Sequence, residues 1–275
     1  MAILHETNFE NIALPPIIYK YRVWENPEHK RMLTEGEIFF ASPSDFNEQH
    51  ECNLERDFDS LTDDMIFKFC YLTAPKNSYS SDSDRREIAT RMITDSRIRN
   101  KEHQEEIQEN FRNKINTDLS IFSASKHKDI FSLWQTFAND QTGFCIGLNT
   151  RKMFANNEIF GSGGCVEYYP IKNQPKIRPI TFSKEEKIED MMKVIYSLPD
   201  KFSREDEYRL AKSSMENKRI SLNPLAFEEV ILGCEMTKES KEEIKAIAIK
   251  RFPQIKIYQA NYNYDLEIYA FQEIK

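Results

Sequence analysis

The chain has 275 residues, 40% of them hydrophobic and 12% aromatic, and carries a net charge of -7. That composition can build a core, which excludes global disorder, and the length suits one domain carrying an insertion. The acidic balance leaves no bulk positive field for phosphates and counts against a general nucleic-acid binder.

In chain order, residues 16–22 (PIIYKYR) read as a strand from their β-branched and aromatic content. Asn26, Pro27 and Gly36 then punctuate a short helix: a cap, a proline at the first helical position, and a glycine past the end. A strand at 37–42 and a polar loop at 43–51 follow. Residues 62–71 read as a helix capped by Thr62, and 75–83 as a loop. The charged stretch 84–117 carries apolar residues at Ile88, Met92, Ile98, Ile107, Phe111 and Ile115. It predicts one or two surface helices inserted into the core fold at about 76–118.

The second half alternates between strands and helices. Strands are expected at 119–125, 143–148, 165–169, 230–232, 255–259 and 265–271. A hairpin is expected from 207–213 and 219–222. Helices are expected at 130–139 (with Asp129 as cap), 184–196 and 238–251 (with Thr237 as cap). The run Gly161-Ser162-Gly163-Gly164 precedes a strand and reads as a turn. Eight or more strands with hairpin-like neighbours predict one α+β domain over 1–275, built on a mixed, mostly antiparallel sheet with helices packed around it. No Gly-rich phosphate loop follows a strand, which argues against regular βαβ winding.

Five cysteines, Cys52, Cys70, Cys145, Cys165 and Cys234, are odd in number and form no CxxC pair, so they read as reduced thiols of a cytoplasmic protein. The opening residues hold neither a basic stretch nor a long apolar run, so neither a leader nor a membrane span is expected. The five histidines form no HExxH or other ligand spacing, and no metal is expected.

Four polar groupings remain. On the first strand, alternation puts Tyr19 and Tyr21 on one face, with Lys20 and Arg22 on the other. The loop after the second strand carries Ser42, Asn47 and Glu51. Arg204–Arg209 runs into a strand on which Glu205, Glu207 and Arg209 share a face. Ser123 lies on a strand before a polar loop, and Trp134 follows on a helix, either as core or as a pocket wall. Salt-bridged edges and self-bonded loops explain such groupings as readily as a site does.

Together these segments resemble a bacterial family of domains without an assigned activity. IYKYR (18–22), SPSDFNEQHE (42–51), IFSAS (121–125), LWQTFAN (133–139), TGFCIGL (142–148) and EDEYRL (205–210) stand in that family's order. The chain departs from the pattern at Glu48-Gln49, where Asp-Pro is usual, and at Phe137. More distantly, the opening motifs resemble the ADP-ribosyltransferase superfamily, with Lys20 in place of the usual His or Arg.

That likeness implies NAD as cofactor, with Glu207 and Glu205 as the catalytic carboxylates and Ser42 on the second strand. Arg209 or Arg22 would meet the pyrophosphate, and Tyr19, Tyr21 or Trp134 would form a stacking wall. It further implies an ADP-ribosyltransferase or glycohydrolase acting as a phage-defence effector or toxin. The target would be a protein or nucleic acid, and an operon-encoded partner is possible. The competing expectation is a noncatalytic module that binds a nucleotide or a partner protein through the same residues.

Overall fold

The computed structural model describes residues 14–46, 48–73, 81–94, 97–155, 162–213 and 218–275. In chain order it contains β1 (Ile17–Arg22), α1 (Pro27–Thr34), β2 (Glu37–Phe39), α2 (Asp63–Thr73), α3 (Asp82–Thr94), α4 (Lys101–Asp118) and β3 (Leu119–Ser125). Then come α5 (Phe131–Phe137), β4 (Phe144–Asn149), α6 (Thr150–Phe154), β5 (Ser162–Cys165), β6 (Glu167–Tyr169), α7 (Lys184–Tyr196) and β7 (Ser197–Pro199). The chain ends with β8 (Glu207–Ser213), β9 (Arg219–Ser221), β10 (Phe227–Leu232), α8 (Lys238–Arg251), β11 (Lys256–Asn263) and β12 (Ile268–Glu273).

The chain divides into two compact units. The first comprises residues 1–41, 120–166 and 201–275; the second comprises 42–119 and 167–200. Within the first, an eight-stranded sheet has the order β12-β11-β10-β4-β1-β3-β8-β5. Its described pairings are antiparallel except β10 with β11, where α8 supplies the crossover. The protein is therefore α+β, with a mixed, mostly antiparallel sheet.

Alternation along β1 sorts the core into two faces. Ile18 packs with Phe122, Phe144, Ile146, Leu210 and Val230. Tyr19 and Tyr21 pack on the other face with Trp134, Cys145, Ile231 and Ala260. The buried strand β4 pairs with β1 from Ile17–Asn149 to Arg22–Phe144, which fixes the register at the centre of the sheet.

Several helix ends follow their local chemistry. The Asn26 side chain accepts from the Glu28 N–H, Ser183 from Glu186 and Thr237 from Ser240, so each satisfies an N–H that the first helical turn leaves without a partner. Gly36 follows α1 at φ +70°, a conformation that costs a side-chain-bearing residue energy. Thr62 accepts from the Met65 N–H at the start of α2. In the second unit, Ile66, Cys70 and Ala89 form a small core between α2 and α3, and β6 pairs in parallel with β7.

Four expectations are corrected. Residues 162–165 are strand β5 rather than a turn, pairing with β8 from Ser162–Ala211 to Cys165–Tyr208. At Gly163 a side chain would be crowded, because a Cβ would lie 3.0 Å from the Tyr208 hydroxyl and 3.1 Å from Leu210. β8 and β9 do not form a hairpin. Both edges of β8 are taken, by β3 and β5, and β9 pairs with β2 instead. The N-cap of α5 is Ile130, with no side-chain bond, rather than Asp129. The last hairpin turns later than expected, with β11 reaching Asn263, whose side chain accepts from the Asp265 and Leu266 N–H groups. Most of the loop expected at 75–83 lies outside the described residues.

Candidate functional site

The first unit gathers polar side chains where β1 and β3 part. These strands share one register pair, Tyr19 with Ser125. Further along β3, Ile121 exchanges both backbone hydrogen bonds with Ala41 instead, at 2.7 and 2.8 Å. The Ser123 carbonyl thus lies where the two strands separate, and the Lys20 ammonium donates to it. Lys20 also lies 5.3 Å from the centroid of Phe122.

From Ser123 the chain of bonds continues through its hydroxyl, which donates to Glu207 Oε2 at 2.7 Å. Arg209 Nε donates to the same oxygen at 2.9 Å. Glu207 is 7% exposed and Arg209 only 1%. Alternation explains the meeting: Ser123 and Ser125 share a face of β3, and Glu207 and Arg209 share a face of β8.

The neighbouring cations are less well compensated. Burial pushes the Lys20 ammonium well below its ordinary pKa, and Arg22 lowers it further, while Glu207 and Glu205 oppose the shift. Burial lowers Arg22 to about 10. Its hydrogen bond is a long one, 3.4 Å, to the Tyr21 carbonyl. Neither cation forms an ion pair among the described residues. His29 on α1 accepts from the Val23 N–H through Nδ1, and burial with Arg22 and Lys20 nearby lowers it to about 4.

Glu205 and Glu207 do not lie along one strand, which corrects the expectation of a shared face. Asp206 between them has φ 41°, and β8 starts only at Glu207. The Asp206 side chain turns to Lys126 at 2.6 Å and His127 at 2.8 Å. Burial alone would raise the Asp206 carboxyl, but those two partners hold it below its usual value. Glu205 sits in the preceding 3-10 turn, and its carbonyl accepts from the Ser125 hydroxyl at 2.7 Å.

The aromatic residues expected to wall a pocket are core. Trp134 is fully buried, donates its indole N–H to the Lys128 carbonyl at 2.9 Å, and meets Tyr21 edge-on at 5.2 Å. Tyr21 donates to the His127 carbonyl at 2.9 Å. Burial, with the Glu229 carboxylate alongside, raises the Tyr19 phenol far above its ordinary value. Ser42 and Glu51 belong to the second unit. The Ser42 N–H donates to Asp45 in a 3-10 turn, and Glu51 accepts from the Cys52 thiol at 3.4 Å. Ser42 therefore lies just past a strand rather than on it. Asn47 lies outside the described residues.

The sequence reading passed over a second cluster in the first unit. Lys128 lies 5.9 Å from Tyr19, 4.9 Å from Tyr258 and 5.1 Å from Phe271, measured to the ring centroids. It pairs with the buried Glu229 carboxylate at 3.2 Å. This is a cation cage filled by the protein's own lysine. Its walls come from β1, β11 and β12, so no local motif announces it. Among the described residues no three His, Cys, Asp or Glu side chains are placed to hold a metal ion, and no helix is long and apolar enough to cross a membrane.

Residues 133–220 match a family described as a protein of unknown function (DUF2971). The matched segment starts on α5 and carries Glu205, Glu207 and Arg209; β1 and Ser123 lie before it. No curated protein and no solved structure gives a significant match to the chain.

Proposed function

We propose that the first unit binds a nucleotide where β1 and β3 part, that the ligand is NAD, and that Glu207 acts on its nicotinamide–ribose bond. The observation that carries this reading is the pair Lys20 and Arg22. Two half-buried cations on a central strand lack a paired carboxylate, and one of them, Lys20, which donates to the Ser123 carbonyl, is within electrostatic reach of the Glu207 carboxylate that Ser123 and Arg209 orient. A pyrophosphate would relieve that charge with charge-assisted hydrogen bonds. When the N-glycosidic bond breaks, its electron pair leaves with nicotinamide and positive charge develops on the ribose; a fixed carboxylate stabilises that state. The choice of NAD, a protein or nucleic-acid target, and a role in phage defence or as a toxin rest on the resemblance to ADP-ribosyltransferases.

One observation favours a second reading, a noncatalytic nucleotide-binding module. Glu207 is nearly closed to solvent and engaged by Ser123 and Arg209, as a structural partner would be. Titration with NAD and ADP-ribose, followed by thermal shift and by chromatography of released nicotinamide, separates the two readings. Binding with turnover supports the enzyme, and binding without turnover supports the module. No binding by native protein, or equal binding after replacing both Lys20 and Arg22 with Met, removes the site.

A further inference from the structure

We propose that the cage around Lys128 is a binding site for a small quaternary ammonium ligand, with Lys128 as its tethered competitor. The site is built by several strands around one cation. β1 supplies Tyr19, β11 Tyr258 and β12 Phe271, and β10 supplies the Glu229 carboxylate. β4 makes room for them: a Cβ on Gly147 would lie 2.6 Å from Glu229 Cγ and 3.0 Å from Tyr19 Cε1. β10 shifts register between Phe227 and Glu229, and Glu229 pairs with Gly147. Bulges and strand-interior glycines of this kind re-aim side chains and open space beside binding sites.

The cage is wider than the ammonium that fills it. Where a lysine sits over a single ring it comes close: Lys30 lies 4.4 Å from the Trp24 centroid and Lys68 4.3 Å from that of Phe182. Around Lys128 the nearest of three centroids, Tyr258, is at 4.9 Å and the farthest, Tyr19, at 5.9 Å. The Glu229 oxygens, at 3.2 and 3.3 Å, also stand outside the roughly 2.7–2.9 Å of a close charge-assisted bond. An N–C bond of about 1.5 Å would carry a methyl group into that gap. Methylated ammonium groups meet ring faces through those methyls, whereas a lysine ammonium is a compact, strongly hydrated charge.

The exchange leaves no charge stranded. Glu229 is 4% exposed and needs a cation beside it, which the ligand supplies as Lys128 leaves. Glu273 adds a second carboxylate beside Tyr258, accepting from its hydroxyl at 3.3 Å. The Lys128 side chain is 28% exposed, and Tyr258 and Phe271 are half-buried, so the cage opens to solvent. The Trp134 indole holds the Lys128 carbonyl, so the side chain alone swings out into water.

The test is calorimetric titration of the full native chain at constant ionic strength with choline, tetramethylammonium, ammonium and the uncharged carbon isostere of choline. The two quaternary ions should bind; ammonium and the isostere should not. Lys128→Gln, which removes the competing charge and keeps a donor for Glu229, should bind choline about tenfold more tightly, as when the native cage stands open roughly a tenth of the time. In the native chain, saturating choline should raise acylation of the Lys128 amine several-fold, read by peptide mass spectrometry, because the displaced amine reaches solvent. A native chain that binds choline no better than its isostere would overturn the proposal. So would a folded Lys128→Gln chain with no gain in affinity, or Lys128 labelling that choline does not raise.

Discussion

Ser123 on β3 donates its hydroxyl proton to Glu207 on β8 at 2.7 Å, and Arg209 shares the oxygen that receives it. Two adjacent strands are thus tied at one carboxylate, and that carboxylate is an ionic partner of the nearly inaccessible Arg209 guanidinium. Whatever else Glu207 does, it holds a buried charge in place.

Replacing Glu207 with Gln keeps the shape and removes the charge. The expected cost is about 3 kcal/mol, because a buried guanidinium loses an ionic partner. Ser123→Ala should cost roughly 1.5 kcal/mol, the scale of one hydrogen bond to a charged group. Chemical denaturation of the two variants checks the order. On the enzyme proposal, Glu207→Gln also lowers nicotinamide release on the order of 10²–10³-fold at a temperature where it remains folded. A stable variant with undiminished turnover would remove Glu207 from both roles.

The cage around Lys128 should be a strong point of the sheet. Lys128→Ala leaves the Glu229 carboxylate buried without its ion pair, at an expected cost of about 3 kcal/mol. Adding Glu229→Gln to that variant should recover part of the loss, since no uncompensated charge then remains. A double variant less stable than Lys128→Ala by the full cost of Glu229→Gln would show that the two residues do not interact.

His29 gives the fold a mild acid sensitivity. Its folded pKa is about 4, below the ordinary 6.5, so the unfolded chain binds the extra proton first. The stability this group contributes is present in full above pH 6.5 and is lost as pH falls through 4. With the ring half-buried, about 1–2 kcal/mol should disappear across that window. His29→Gln, which keeps an acceptor for the Val23 N–H, should flatten the melting temperature over the same range. An unchanged slope would assign the acid loss to other groups.

Asp206 should tolerate glycine better than alanine. Both replacements lose the Lys126 and His127 partners, but only alanine must hold φ 41° with a Cβ. The difference should be about 1 kcal/mol in favour of glycine, measured by thermal melts of the two variants at neutral pH.

Periodicity and punctuation made the sheet class and most elements legible, because β1, β4 and α1 carry local signals: β-branched alternation, an apolar run, and Asn-Pro with a closing glycine. Pairing was not legible. β9 looks like the partner of β8 until both edges of β8 are found occupied. β5 looks like a turn because its glycines answer to Tyr208 and Leu210, which lie more than forty residues away. For the site, the polar strand residues Lys20, Arg22, Glu207 and Arg209 stood out against apolar neighbours, and the structure brings Lys20 within electrostatic reach of the other three. The aromatic residues misled because Tyr19, Tyr21 and Trp134 have the same appearance whether they wall a pocket or fill a core. The left-handed Asp206 was hidden because its partners, Lys126 and His127, lie about eighty residues earlier.

The strand order has a consequence for synthesis. Of the described strands β1 leaves the ribosome first, yet its two neighbours in the finished sheet are β3 and β4, which follow about a hundred residues later. At roughly 5–20 residues per second, β1 waits on the order of ten seconds with both hydrogen-bonding edges unfilled. Its Ile-Ile-Tyr run is then an exposed aggregation hazard, broken only by Lys20 and Arg22. Those two cations would keep the nascent strand soluble whatever they bind afterwards. Replacing both with Met should raise the insoluble fraction of newly made chain more than it lowers the stability of purified protein. If solubility during synthesis does not change, this duty belongs elsewhere.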